Sequence, residues 1–223
     1  MPLSDTARST LVFIVGPPAV GKMAVGHELA ARTGLKLCHH HQTIEIALRF
    51  FPFGTPPFDR LVRAFRRLIF EEVAASEVPG LIFTYVWAFD QPDDAKTVAE
   101  FAEIFARRPG RVLYVELEAS LPERLRRNET DFRLAEKPSK RDLRSSRERL
   151  LGLDAAYKLN STKEFEGRSD YLKIENTALD PGAAAERVIS HFRLSTVGEA
   201  AAVTPLAPPA PPDEEVHRPS GPS

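Results

Sequence analysis

Gly16-Pro17-Pro18-Ala19-Val20-Gly21-Lys22 has the spacing of a phosphate cradle, with two glycines five apart and a lysine directly after the second. An apolar, β-branched run, Leu11–Val15, leads into it, and a helix-like sequence follows at once. In that context the pattern predicts a loop whose backbone N–H groups point at a polyphosphate at the start of a helix. Gly16 and Gly21 let the backbone approach the phosphates without a Cβ in the way. Lys22 brings a positive charge to the β- and γ-phosphates. Met23 and Ala24 stand where such loops usually place the Ser or Thr that binds Mg²⁺, and a thioether is a poor ligand for a hard, oxygen-seeking cation. The expected nucleotide contacts run from Gly16 to Ala24. The loop predicts a bound nucleotide and, with it, Mg²⁺ held mainly through phosphates and water, with no protein metal site assigned.

Further candidates follow from where strands should end. His39-His40-His41 closes the second strand, and alternation along a strand would let His39 and His41 converge on substrate or carry a proton. Ordinary structural histidines are the other reading, and no carboxylate stands at a spacing that suggests a metal site. Asp90, just beyond the third strand, is placed to accept an acceptor hydroxyl's proton or to hold Mg²⁺ through water or, equally, to begin a turn. Glu116, at the end of the fourth strand, is a lesser candidate for organising Mg²⁺. Trp87 would wall an acceptor pocket, and Arg66, one of three arginines on a helix with Arg63 and Arg67, would reach an anionic acceptor. The stretch from Arg124 to Arg144 is rich in arginine and lysine, and guanidinium groups there could stabilise a migrating phosphoryl group when a mobile segment closes.

The elements that must position these residues alternate. Strands are expected at Leu11–Val15, Leu35–Cys38, Leu81–Val86, Arg111–Glu116 and Tyr171–Ile174. Helices are expected at Lys22–Arg32, Thr43–Phe51, Phe58–Ser76, Asp93–Arg107, Leu121–Asn128, Asp142–Leu159 and Pro181–Phe192. This alternation predicts an α/β protein with a five-stranded parallel sheet covered by helices on both faces, three layers in all. Ligands of such sheets lie beyond the carboxyl ends of the strands.

With 223 residues and 43% hydrophobic content, the chain suffices for one core. Thirty basic against 31 acidic residues leave a net charge of −1, which argues against a nucleic-acid partner. The single cysteine, Cys38, excludes an internal disulfide, no apolar run reaches membrane-spanning length, and no secretory layout opens the chain, so a cytoplasmic protein is expected. Residues 1–9 read as a disordered lead, 10–194 as the folded domain, and 195–223 as a Pro/Ala-rich disordered tail.

Gly21–Leu35, with its lysine and the Gly34 that closes the helix, resembles the phosphate loop and first helix of the small P-loop kinases, in particular the shikimate kinase-like and nucleoside-monophosphate-kinase-like group. Arg127-Asn128-Glu129-Thr130-Asp131-Phe132-Arg133-Leu134 is similar to that group's lid, with two arginines six apart, and Val112–Leu117 to its fourth strand. The resemblance implies a P-loop fold with a mobile lid at about 128–141. It also implies ATP use, nucleotide contact by Arg127, and phosphoryl transfer assisted by Lys22 and Arg133. It implies neither shikimate nor a nucleoside monophosphate as acceptor, because the Asp-x-Asp after the second strand and the loops after the third are replaced here. Two functions stay open: a kinase acting on a small-molecule hydroxyl or phosphate, and a nucleotide-binding regulatory protein whose Mg²⁺ site has decayed.

Overall fold

The computed structural model describes residues 9–130 and 142–198. Arg133, most of the expected lid and most of the expected tail lie outside these residues. In chain order the elements are β1 (Thr10–Val15), α1 (Lys22–Thr33), β2 (Lys36–His39), α2 (His40–Leu48), α3 (Pro56–Ala75) and β3 (Gly80–Thr84). They continue with α4 (Pro92–Ala106), β4 (Arg111–Glu118), α5 (Leu121–Asn128), α6 (Leu143–Ala156), β5 (Tyr171–Glu175) and α7 (Pro181–Phe192).

The sheet is five-stranded and parallel, in the order β2-β3-β1-β4-β5. β1 is central. It pairs with β3 from Thr10↔Gly80 to Ile14↔Thr84 and with β4 from Thr10↔Arg111 to Val15↔Glu116. A strand flanked on both edges and covered on both faces should be apolar throughout, and all six β1 residues are buried. Its side chains alternate between layers. Val12 and Ile14 pack with Val25, Leu29, Val188 and Phe192 of α1 and α7. Leu11 and Phe13 pack with Phe70, Phe101 and Phe105 of α3 and α4. At the edge where β1 and β3 enter the sheet, Gly80 has φ 149°, and a Cβ there would lie 2.0 Å from the Thr10 carbonyl oxygen.

Several boundaries differ from expectation for local reasons. Pro56 and Pro57 begin α3 rather than precede it, since the first helical turn has no use for their missing N–H groups. α2 starts at His40, because His39 caps it and Gln42 Oε1 accepts the His39 backbone N–H at 3.1 Å. β4 runs two residues further, to Glu118, which pairs with Glu175 of β5. β3 stops at Thr84, and the chain then turns towards α4. There Asp94 accepts hydrogen bonds from the Tyr85 hydroxyl at 2.7 Å and the Ala88 N–H at 2.8 Å. Among the described residues no helix is long and apolar enough to cross a membrane.

Candidate functional site

The loop between β1 and α1 is held in backbone conformations that its sequence makes possible. Gly16 has φ 132°, and a Cβ there would meet the Leu117 carbonyl oxygen at 2.3 Å. Gly21, the residue before α1, has φ 108°, and Ala19 adopts the left-handed region at φ 61°, a conformation uncommon for a residue with a Cβ. α1 has neither a capping side chain nor an acidic residue in its first turn. Its first N–H groups therefore have no acceptor within the helix, and together with the helix dipole they favour an anion. Pro17 and Pro18 cannot donate, so the cradle begins at Ala19. The Lys22 ammonium is buried and donates to the Gly16 and Pro17 carbonyls at 2.6 and 2.7 Å.

A cavity of about 530 Å³ opens over this loop. Ala19 to Val25 form one side, the end of α5 another, and the Asn176–Pro181 segment between β5 and α7 the third. Arg127 ties the three together. It donates to Glu123 at 2.6 Å, to the Val20 carbonyl at 3.0 Å, and to the Asn176 and Thr177 carbonyls at 2.8 and 3.1 Å. Asn176 Nδ2 donates to the same Val20 carbonyl at 2.9 Å. The Arg126 and Arg127 guanidiniums hold the Glu123 carboxyl down to about 2. Arg127 is thus a clamp on the cradle, its donors used on protein groups. Arg127→Ala is expected to weaken the binding of a polyphosphate on this loop roughly tenfold by releasing the Val20 carbonyl and the Asn176–Thr177 segment. Calorimetric titration with tripolyphosphate measures the change, and an unchanged affinity would remove the clamp from anion binding.

A second cavity, about 580 Å³, lies between α2, α3, α6 and the segment after β3. It shares two residues with the first, Ala19 and Lys22. His40 and His41 both line it, whereas His39 is buried and lines neither. Strand alternation selected His39 with His41, but α2 begins at His40, and consecutive residues in a first helical turn can open to one cavity. Glu45 Oε1 lies 3.8 Å from His41 Nδ1, one helical turn on. Arg66 lines the cavity too. Its Nε donates to Thr43 Oγ1 at 3.1 Å and its Nη2 to the His40 carbonyl at 3.3 Å, and its guanidinium lies 5.6 Å from the Phe83 ring centre. Burial pushes the guanidinium's pKa down from its ordinary value.

Other expected site residues lie elsewhere. Gly16 and Pro17 line neither cavity and instead receive the Lys22 ammonium, while Pro18 faces the second cavity. Asp90 is exposed and lines neither; the acid fixing that turn is Asp94. Trp87 is buried against Phe89, Phe165 and Tyr114, on the sheet face away from α1, and Tyr85 and Val86 take the place at the second cavity expected of it. Glu116 is fully buried on β4 and accepts from Asn160, the Ser161 N–H and the Tyr171 hydroxyl at 2.7–2.9 Å. Burial pushes its carboxyl up, but the bonds from Ser161, Asn160 and Tyr171 outweigh that and hold it below its usual range. It anchors the segment after α6 and is not free for a metal. One residue not expected from the sequence stands in the first cavity: Thr84, the last of β3, in register with Ile14.

No known protein family matches the chain's sequence, and no curated protein matches it either. Among solved structures the fold matches a sugar kinase from Janibacter sp. HTCC2649 at a TM-score of 0.50 and 15% identity, covering 84% of this chain and 96% of that one. It also matches the APS kinase of Mycobacterium tuberculosis, solved with AMPPNP and APS, at a TM-score of 0.53 and 13% identity, covering 83% and 98%. The fold is that of the P-loop small-molecule kinases. At these identities the likeness defines the architecture, and the chemistry has to be read from the two cavities.

Proposed function

We propose that this protein is an ATP-dependent small-molecule kinase, which moves the γ-phosphoryl group from ATP to a hydroxyl or phosphate of an acceptor held in the second cavity. The observation that carries this reading is the shared lining: Ala19 and Lys22 belong to both cavities, so donor and acceptor would meet at one ammonium. The nucleotide's phosphates would lie on the N–H groups from Ala19 to Ala24. The base would lie towards Ala178, Leu179 and Pro181, the more apolar end of the cavity. As the bond from the γ-phosphorus to the β–γ bridging oxygen breaks and that to the acceptor oxygen forms, Lys22 would offset the charge on the migrating group. A hydroxyl acceptor's proton would pass to His41, with the Glu45 carboxylate favouring the imidazolium that results.

The donor set fits a phosphate-held Mg²⁺. Met23 is buried and offers sulfur, while Glu123 and Asp180, the carboxylates of the nucleotide cavity, are committed to arginines and to the Ala183 N–H. Among the described residues lining this cavity, Thr84 Oγ1 has no hydrogen bond and would join phosphates and water around the ion, where the metal would neutralise phosphate charge. Met23→Ser adds a hydroxyl at the loop's last position and is expected to lower the Mg²⁺ concentration for half-maximal turnover severalfold. An unchanged Mg²⁺ dependence would mean that the ion draws its protein oxygen from elsewhere.

Calorimetric titration of ATP, with and without Mg²⁺, tests the reading. Micromolar binding strengthened by Mg²⁺ supports a kinase. Binding indifferent to the metal favours a nucleotide-binding protein with little transfer, and no binding overturns both.

A further inference from the structure

If the chain is a kinase, the second cavity also defines the class of its acceptor. The aliphatic side chains of Ile44, Leu48, Val62, Val86, Leu150 and Leu153 line it, joined by the rings of Phe53 and Phe58, whose centres lie 5.1 Å apart. A polyol laid against such a wall would lose water from its hydroxyls without gaining partners, which is unfavourable for each one. An apolar body gains by the same burial.

The charge in the cavity is just as selective. Arg66 is half-buried, its two hydrogen-bond acceptors are neutral, and among the described residues no carboxylate pairs with it. Asp59, seven residues earlier on α3, is about two turns or roughly 10 Å away along the helix and exposed. Arg149, across the cavity, is exposed and lies over the Phe53 ring at 4.9 Å. Both of these charges face solvent, which screens them, and Lys22 stands at the junction with the first cavity, so Arg66 is the half-buried charge set within the wall itself. A half-buried guanidinium without a carboxylate partner favours a planar anion that can accept its fork of N–H groups. With Lys22 given to the nucleotide's phosphates, Arg66 is the charge left to pair with the acceptor's body, and a single charge suits a carboxylate better than a doubly ionised phosphate.

We infer that the acceptor is a hydroxy acid with an apolar, ring-sized body, its carboxylate on Arg66, its ring against the α2–α3–α6 wall and its hydroxyl towards Lys22. Tyr85 lines the same cavity with its hydroxyl already given to Asp94, so it contributes a ring edge rather than a donor to the ligand. The specificity that follows is opposite in character to that of a sugar site. Polyols fail on the wall, and neutral aromatic alcohols fail on the guanidinium.

Three probes separate these terms in calorimetric titrations of the full chain: 4-(hydroxymethyl)benzoate, its uncharged analogue 4-methylbenzyl alcohol, and gluconate. The aromatic acid is expected to bind at least about tenfold more tightly than either of the others. Arg66→Met should abolish its advantage over the neutral alcohol, and Arg66→Lys should restore part of it, which a merely misfolded site would not do. Gluconate binding as tightly as the aromatic acid, an advantage that survives Arg66→Met, or no saturable binding of the acid at millimolar concentration would each overturn the inference. ATP titrated into the same samples distinguishes the two readings. Absent ATP binding would sink the kinase and leave the acid site standing, while retained ATP binding without preference for the aromatic acid would sink the acceptor class alone.

Discussion

Lys22→Ala is expected to lower kcat/KM by about a thousandfold and to weaken ATP binding by more than tenfold. The size of the first effect comes from position. The ammonium sits where the two cavities join, buried, on the carbonyls of Gly16 and Pro17. A charge held there acts on the migrating group in surroundings with little water to screen it, and removing one such donor typically costs two to three orders of magnitude. The second effect reflects the β- and γ-phosphates, which lose their nearest fixed cation in the ground state as well. Arg133, which lies outside the described residues, offers a contrast: Arg133→Ala should abolish transfer while leaving ATP affinity close to that of the parent. Coupled ADP release and calorimetry on the two variants measure both quantities. Turnover that survives Lys22→Ala unchanged would remove the mechanism proposed here.

The cradle was legible because its chemistry is local. Two glycines, a lysine and an apolar run before them determine a strand, a turn and a helix start within a dozen residues. Ala19 at φ 61° shows that even there a residue without glycine's freedom can take a left-handed position when the surrounding loop imposes it. The second cavity was harder to foresee, because it is assembled from α2, α3 and α6, far apart in the chain. Arg66 could be chosen from its helix, but nothing local separated it from Arg63 and Arg67, which pair with Glu100 and Glu71 at the surface. Asp90 and Trp87 were chosen by nearness to a strand end. That rule names the edge of the sheet at which both cavities open, but cannot say which way each side chain turns once Asp94 has bent the chain. Applied to the strand's last residue, the same rule points to Thr84. Asn176, just past β5, was within its reach as well.

Arg124→Met is expected to destabilise the fold by about 3 kcal/mol, the largest stability effect of any single substitution considered. Arg124 is buried on α5 and donates to both carboxylate oxygens of Asp154 on α6, with Nη1 at 2.7 Å, and its Nε donates to the Ala119 carbonyl at 3.2 Å. The methionine would fill much of the space but leave the Asp154 carboxylate without its partner, and stranding one half of a buried pair costs far more than removing both. Arg124→Met with Asp154→Leu should therefore recover most of the loss, and urea unfolding of the four proteins completes the cycle. The pair also bears on function. α5 carries Arg126 and Arg127 to the nucleotide cavity, and α6 carries Ser146, Arg149, Leu150 and Leu153 to the acceptor cavity. A second tie, from Ser146 Oγ to Asn128 Oδ1 at 3.1 Å, joins the same two helices. Loosening them should raise the KM of both substrates together. Should Arg124→Met instead unfold within about 0.5 kcal/mol of the parent, the ion pair would be a passive contact, and the two cavities would owe their alignment to the sheet alone.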